Sequence, residues 1–341
     1  MQMKSPSSLA SDGTPVNGLM PVDAVADLIR AGACLSLAGR KEALDALPAG
    51  RWIGGTSPYF MTAEGGRIVT GQEVFVTDLG AIGDVSIGIY GADELEQISG
   101  EAPDQGFALA VIPAGSRCHA EFAKNAATYP MAFMRPTVGW ISGYDLGEPG
   151  ASAWVYDGRS GAAFADRVVV AHVAFGDDAD ALIEIVNIFA PEGEDVIRFD
   201  ETGFTPRWCT VNGERRRFAD YVMARGRQAG DLPLVGDFAG AHVNASLKSI
   251  DAAAGTVELY APVFPGVDYA FAAPVGDYAG SFREALSTRS FDGAAWSCNC
   301  ILNFLFGKLE GVAIGGLAGP VTFGEIAYQL LNQTMVVVRK A

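Results

Sequence analysis

The sequence lacks the features by which secreted, membrane-spanning and disulfide-linked proteins are recognised. Its first residues contain no apolar core of a signal peptide. Gly, Asp or Arg interrupts every apolar run before it reaches the roughly 18 residues of a membrane span. The 5 cysteines are scattered and form no CxxC pair, which excludes a disulfide framework. We therefore expect a cytoplasmic protein with reduced thiols.

Basic residues are scarce as well. The chain has 24 Lys and Arg against 40 Asp and Glu, a net charge of −16. An acidic surface repels phosphate backbones and anionic lipid headgroups, so we expect neither a nucleic acid nor a membrane as partner. Hydrophobic residues make up 49% of the positions, which is enough for a sizeable core. The length of 341 residues indicates about two domains.

Motifs of common enzymes and nucleotide-binding proteins are also missing. The sequence contains no GxxxxGK[ST], HExxH or GxSxG pattern. Its three histidines, His119, His172 and His242, are far apart and show no metal-ligand spacing, so we expect no metal and no cofactor. His172 lies inside the apolar run VVVAHVAF, which predicts a central strand with a buried, hydrogen-bonded histidine.

Short apolar runs bounded by Gly, Pro, Asp or Asn are the dominant pattern, and they predict strands. Helical spacing of apolar residues predicts helices around Phe218 and Phe282 in the second half. We therefore predict an α+β fold with layered β-sheets and flanking helices. The expected pairings group the runs into two sheets: 107–112, 167–175 and 182–189 in the first half, and 257–263 with 335–338 in the second.

A polar group interrupts the otherwise apolar C-terminal region. Glu325 follows Gly324, and Asn332, Gln333 and Thr334 come shortly after. A carboxylate, two amides and a hydroxyl can together bind the amine and hydroxyl groups of a small ligand, or they can cap each other's loop. A carboxylate in apolar surroundings needs hydrogen bonds. Either protein donors supply them and the residue is structural, or a ligand ammonium or hydroxyl completes the set.

Cys298 and Cys300 form the densest group of reactive side chains. Both would point to one face of an extended segment. A nucleophilic thiolate needs a cation or a helix N-terminus nearby, and no basic residue is adjacent. We expect two small buried side chains, with a cysteine-dependent enzyme as the alternative.

Several of these residues also occur in a family pattern. Ser297-Cys298, then Gly324-Glu325-Ile326, then Asn332-Gln333-Thr334 before a last strand resemble the end of FIST domains, sensory modules named for F-box and intracellular signal-transduction proteins. Upstream, Ile53-Gly54-Gly55-Thr56-Ser57 and the turn Val211-Asn212-Gly213 are similar to earlier parts of that family. The sequence departs from the family at Ile301 and Leu302, where an arginine is common.

The resemblance implies two related halves, at 20–200 and 201–341, after a flexible segment at 1–19. It also implies a small-molecule-binding sensory or signal-transduction protein without catalytic activity, with an amino acid or related metabolite as ligand and a signalling protein as partner. A protein-interaction scaffold is the alternative. The expected ligand-binding residues are Glu325, Asn332, Thr334, Cys298 and Gly324.

Some FIST relatives are described as haem-bearing. A haem needs an axial ligand, and His119 and His242 are the candidates that this sequence offers. We expect no haem here.

Overall fold

The computed structural model describes residues 17–176, 179–230, 232–291 and 293–341. These residues form eight α-helices and 26 β-strands, which confirms the predicted α+β class. The predicted flexible segment 1–19 lies outside the described residues except for its last three positions, which belong to the first strand. None of the described helices is long and apolar enough to cross a membrane.

One arrangement of strands and helices occurs three times along the chain, and we call each copy a unit. Unit 1 consists of β1 (Asn17–Pro21), α1 (Val22–Arg30), β2 (Leu35–Gly39), α2 (Lys41–Asp45), β3 (Trp52–Thr56), β4 (Tyr59–Thr62), β5 (Gly65–Ile68) and β6 (Glu73–Asp78). The helix α3 (Leu79–Ile82) leads into the next copy.

The second and third copies follow the same order. Unit 2 consists of β7 (Asp84–Tyr90), α4 (Glu96–Glu101), β8 (Gly106–Pro113), α5 (Arg117–Asn125), β9 (Thr137–Ser142), β10 (Val155–Asp157), β11 (Ala162–Phe164) and β12 (Val168–Ala174). Unit 3 begins with β13 (Ala181–Val186), is interrupted by a long insertion, and resumes with α7 (Tyr278–Ser287), β22 (Ala294–Cys300), α8 (Ile301–Phe306), β23 (Gly319–Thr322), β24 (Glu325–Ala327), β25 (Gln329–Leu331) and β26 (Met335–Lys340).

The insertion in unit 3 forms a separate antiparallel sheet with its own apolar core. Its elements are β14 (Ile197–Arg198), β15 (Trp208–Val211), β16 (Glu214–Arg217), α6 (Phe218–Ala224), β17 (Leu234–Phe238), β18 (Ala241–Ala245), β19 (Leu247–Asp251), β20 (Thr256–Leu259) and β21 (Asp268–Phe271). The strand order is β16-β15-β14-β21-β17-β18, and within the described ranges β19 and β20 pair only with each other. The predicted helix around Phe218 is α6, and its apolar face packs into this core.

Strand pairing is the same in all three units. The second main strand (β2, β8 or β22) runs parallel to the third (β3, β9 or β23) and antiparallel to the last (β6, β12 or β26). The last strand also pairs with the first (β1, β7 or β13). The three units therefore have the same connectivity and the same parallel or antiparallel pairing of their main strands.

The units are interlocked through their hairpins. Hairpin β4–β5 of unit 1 extends the sheet of unit 3, hairpin β10–β11 of unit 2 extends the sheet of unit 1, and hairpin β24–β25 of unit 3 extends the sheet of unit 2. The sheet of each unit has four strands of its own and reaches six by accepting a hairpin from another unit. The three exchanges close a ring. The sheets of units 2 and 3 therefore each combine strands from the predicted halves 20–200 and 201–341.

A single apolar core lies between the three sheets. Phe60 of unit 1, Trp140 of unit 2 and Trp296 of unit 3 belong to the same cluster of buried side chains. Each of the three is no more than 2% exposed. These three aromatic side chains therefore pack units 1, 2 and 3 against one another.

Local sequence explains the individual elements, as α1 illustrates. Asp23 lies in its first turn and Arg30 in its last, where each charge complements the helix dipole. Val25 and Ile29 are four residues apart, so they share a face, and both are buried. The helix is followed by Gly32 at φ +87°, a conformation that favours glycine and ends helices.

The structure corrects part of the predicted strand pairing. Strands β8 and β12 are neighbours, as predicted, and His172 on β12 is buried and hydrogen-bonded to Tyr90. The prediction that 182–189 joins them is wrong, because β13 pairs with β26 in the sheet of unit 3. The pairing of 257–263 with 335–338 is also wrong, because β20 forms a local hairpin with β19. In both cases the run is apolar enough for a strand, but its partner depends on the unit to which it belongs.

Candidate functional site

Glu325 lies on β24, where the hairpin of unit 3 enters the sheet of unit 2, and its side chain is fully buried. Thr322 Oγ1 donates to Oε1 at 3.2 Å. Thr334 donates twice to Oε2, from its backbone N–H at 3.2 Å and from its hydroxyl at 2.8 Å. Protein donors therefore reach both oxygens of Glu325.

Burial controls the protonation of this carboxyl group. Removal from water raises the pKa of Glu325 to about 8, although hydrogen bonds from Thr334, Cys300 and Thr322 act in the opposite direction. Glu325 is therefore mainly protonated at neutral pH. A neutral carboxyl group in an apolar interior costs far less than a carboxylate.

No hydrogen bond joins the described side chains of Asn332 and Glu325. Asn332 Oδ1 accepts hydrogen bonds from the backbone N–H of Ser246 at 3.1 Å and from the hydroxyl of Ser246 at 2.6 Å. Asn244 donates to the backbone carbonyls of Asn332 and Gln333 at 3.1 and 3.3 Å. This polar network therefore ties the inserted sheet to the last loop of unit 3.

Cys298 and Cys300 are both 1% exposed and close to Glu325. Burial, followed by the neighbouring Glu325, raises the pKa of both thiols well above the usual value. A thiol held in its protonated form is a poor nucleophile. The expectation of two small buried side chains fits this geometry, and the cysteine-enzyme alternative has no support from it.

The predicted site residues thus divide into two groups. Glu325, Thr334 and Cys298 lie together in the interior, while Asn332 contacts the inserted sheet. Gly324 contributes its backbone carbonyl, which accepts a hydrogen bond from Ile141 at 2.8 Å. A ligand-binding role for these five residues stays a prediction.

A second polar site opens to solvent at the C-terminal ends of β2 and β3. These strands are parallel, so Arg40 after β2 and Ser57 after β3 lie at the same edge of the sheet. Ligands of α/β sheets commonly bind at such edges. Residues 143–154 connect β9 to β10, which belongs to the sheet of unit 1. They form the wall of the cleft opposite Arg40 and Ser57. The resulting cleft has a volume of about 410 Å³.

The floor of the cleft is held by hydrogen bonds between units. Thr56 Oγ1 donates to the carbonyl of Gly143 at 2.6 Å and accepts the backbone N–H of Trp154 at 2.9 Å. Ser57 Oγ donates to the carbonyl of Val321 at 2.7 Å. Both hydroxyls donate their protons to backbone carbonyls of other units. They therefore hold the walls of the cleft together rather than acting as nucleophiles. The residues that line the cleft, all within the described ranges, include neither histidine nor cysteine.

Charges of both signs meet in this cleft. The guanidinium of Arg40 donates to the Val69 carbonyl at 2.7 Å, to Glu148 at 2.6 Å and to Asp145. Lys41 lies 5.2 Å from the centre of an indole ring on the cleft wall, that of Trp154. Arg40 and Asp145 are 16% and 19% exposed in their side chains, whereas Glu148 is 59% exposed. Glu148 is therefore the partner of Arg40 that solvent or a ligand can replace most easily.

Both central groups of the cleft stay ionised at neutral pH. The backbone N–H of Gly147 and the guanidinium of Arg40 lower the pKa of Asp145, although burial opposes them. Burial also acts against the charge of Arg40, but hydrogen bonds to Glu148 and Asp145 outweigh it and raise its pKa. The cleft therefore presents a permanent ion pair to any ligand.

Analysis of the sequence missed the charged residues of the cleft. Arg40 and Asp145 are 105 positions apart, and nothing in either local sequence connects them. The available signal was indirect: Arg40 directly follows a buried strand and precedes a helix, as Ser57 follows the next strand. Only parallel pairing of those two strands turns these positions into one site.

The fold and the cleft define an α+β protein of three interlocked units with a charged cleft between units 1 and 2. Residues 20–341 match the model of a family of unknown function, DUF6976, and the chain belongs to that family. No curated protein matches the chain. No solved structure matches it either.

Proposed function

We propose that this protein binds a small zwitterionic metabolite, an amino acid or a close relative, in the cleft at Arg40, and that it acts as a sensor without catalysis. The observation that carries the proposal is the ion pair of Arg40 with Asp145 and Glu148 inside a cleft of about 410 Å³. Pockets for small molecules are typically 300–1,000 Å³. The FIST resemblance of the sequence agrees with this role.

The chemistry of the cleft fits the two ends of an amino acid. A ligand carboxylate takes the place of the exposed Glu148 on Arg40 and forms the charge-assisted hydrogen bonds that guanidinium groups make with carboxylates. The displaced Glu148, together with Asp145 and Glu42, faces the ligand ammonium. The indole of Trp154 provides apolar surface for the ligand side chain.

Thermal shift with three series of compounds tests the proposal. Amino acids at 10 mM are expected to raise Tm, because a ligand at 100 times its Kd stabilises the folded state by about 2.7 kcal/mol. Amines that lack the carboxylate and carboxylic acids that lack the amine are expected to shift Tm much less. No shift with any amino acid would contradict the proposal.

Two variants of the cleft should act in opposite directions. Arg40→Gln is expected to abolish the response to amino acids. Glu148→Gln weakens the competing partner of Arg40 and is expected to preserve or increase ligand affinity. Arg30→Gln is the matched control, because it also removes one arginine from an ion pair, on the exposed face of α1. Equal responses from Arg40→Gln and Arg30→Gln would place the ligand elsewhere.

A further inference from the structure

The inserted sheet carries a concentration of arginine that contrasts with the acidic chain. Seven of the arginines lie between residues 198 and 227. Four of them have carboxylate partners in ion pairs: Arg198 with Asp268, Arg216 with Glu214, Arg225 with Asp195, and Arg227 with Glu192. For Arg207, Arg215 and Arg217 no such partner lies within ion-pair distance in the part of the chain that the structure describes. In a chain of net charge −16, these three arginines form a local excess of positive charge.

Two of the unpaired arginines lie on an edge strand. Strand β16 lies at the edge of the inserted sheet and, among the residues that the structure describes, pairs only with β15. Its four residues, Glu214–Arg217, are all exposed. The outer backbone groups of an edge strand can pair with another extended chain.

The face of this edge that points away from the core combines cations with an aromatic ring. Trp208 is opposite Arg217 in the β15–β16 register, and Thr210 is opposite Arg215, so these four positions lie on one face of the sheet. The Arg215 guanidinium lies 4.7 Å from the centre of the Trp208 ring. Trp208 is 42% exposed. The opposite face carries Cys209, which is buried in the core of the inserted sheet.

We propose that β16 is a docking edge for an extended acidic peptide segment, which adds to the sheet as a further strand. Carboxylates at alternate positions of such a segment face Arg215 and Arg217, and apolar side chains between them cover the exposed indole. This surface is separate from the Arg40 cleft and requires no ligand there.

Protection against aggregation and binding of nucleic acid are the two competing roles for this edge. Short, charged edge strands can simply prevent aggregation. An exposed tryptophan does not serve that purpose, because it adds apolar surface to the same edge. Arginine with an aromatic ring is also typical of single-stranded nucleic acid sites. The net charge of −16 repels a long polyanion far more than a short acidic peptide.

Fluorescence anisotropy with a labelled octapeptide of alternating Glu and Val, blocked at both ends, tests the proposal on the full chain. We expect saturable binding that weakens as salt is added. The peptide with Gln in place of Glu should bind at least tenfold more weakly. A peptide N-methylated at alternate backbone amides should also bind at least tenfold more weakly, because it cannot pair as a strand. Equal affinity for any of these peptides would overturn the proposal.

Variants locate the binding on β16. The double variant Arg215→Gln with Arg217→Gln is expected to reduce affinity at least tenfold. The matched control, Arg30→Gln with Arg117→Gln, removes the same charge from two arginines with exposed side chains elsewhere and should leave affinity unchanged. An equal loss in both double variants would show a general charge effect and overturn the proposal.

Further measurements distinguish peptide docking from the two competing roles. Peptide binding should protect Trp208 from acrylamide quenching; no protection contradicts the assigned surface. Tighter binding of a labelled dodecathymidylate than of the acidic peptide would assign the edge to nucleic acid instead. If the β16 double variant forms oligomers on size exclusion and peptide affinity is unchanged, the arginines serve only to prevent aggregation.

Discussion

At the scale of single residues, buried polar groups are the most informative feature of this chain. Glu325 is enclosed by donors from within nine residues of its own sequence, Thr322 and Thr334. Proximity along the chain is the reason that sequence analysis could identify this group. The same analysis assigned Asn332 to the group, but its actual partner, Ser246, is 86 residues away. Short-range partners were predictable, and long-range partners were not.

The raised pKa of Glu325 predicts a pH-dependent stability. Between about pH 4.5 and 8 the unfolded chain loses this proton while the folded chain keeps it. The free energy of unfolding should therefore fall as the pH rises, with a contribution of up to about 1.4 kcal/mol per pH unit from this group. Urea unfolding at pH 5, 6, 7 and 8 measures the slope.

The variant Glu325→Gln isolates that contribution. Glutamine keeps the shape and cannot ionise, so the decline in stability between pH 5 and 8 should be smaller than in the wild type. Glu284→Gln, at an exposed position of α7, is the control and should keep the wild-type slope. Parallel stability profiles for the wild type and Glu325→Gln would contradict the assignment of the pKa.

At the scale of elements, apolar periodicity predicted the long buried strands and the helices around Phe218 and Phe282, but not which strands pair with one another. The run that contains His172 forms the interior strand β12, because it is too apolar to leave one face in water. The turn at Asn212-Gly213 became the β15–β16 hairpin, since both residues adopt positive φ. Pairing between distant strands depends on which edges remain open in the assembled molecule, and no local pattern encodes that.

Gly55 on β3 lies where unit 1 packs closely against unit 2. A Cβ atom at this position of β3 would lie 2.6 Å from Val111 Cγ1 and 2.9 Å from the Trp140 ring, both in unit 2. We expect Gly55→Ala to destabilise the protein by about 1–3 kcal/mol, the usual cost of overpacking. Urea unfolding measures the loss.

Gly100→Ala is the matched control for Gly55→Ala. Gly100 lies in α4, and a Cβ atom there would meet nothing within 4 Å. Alanine favours helices over glycine by up to about 1 kcal/mol, so this variant should be neutral or stabilising. Equal stability of the two variants would show that units 1 and 2 are not tightly packed at Gly55.

At the scale of the whole molecule, the exchange of hairpins makes the three units depend on one another. The main sheet of each unit is completed by a hairpin from another unit, and the central core combines aromatic residues from all three units. Removing one unit would expose the edges of two sheets and the shared core. The units are therefore parts of one folding domain, although their connectivity repeats.

This interdependence predicts a single unfolding transition for the three units. Far-UV circular dichroism, which follows the strands, and fluorescence of the buried tryptophans, which follows the core, should give coincident urea curves. Trp52, Trp140 and Trp296, which are all buried, belong to units 1, 2 and 3 respectively. Transitions that separate one unit from the others would contradict an interlocked ring.

The sequence by itself determined the α+β class, the longest buried strands, the burial of His172, the acidic net charge and the closeness of Glu325 to Thr334. These properties follow from composition, apolar periodicity and short chain separation. Only the tertiary structure decided the exchange of hairpins and the meeting of Arg40 with Asp145. Each of these joins segments far apart along the chain, and which strand edges and charges meet depends on packing the three units around one core.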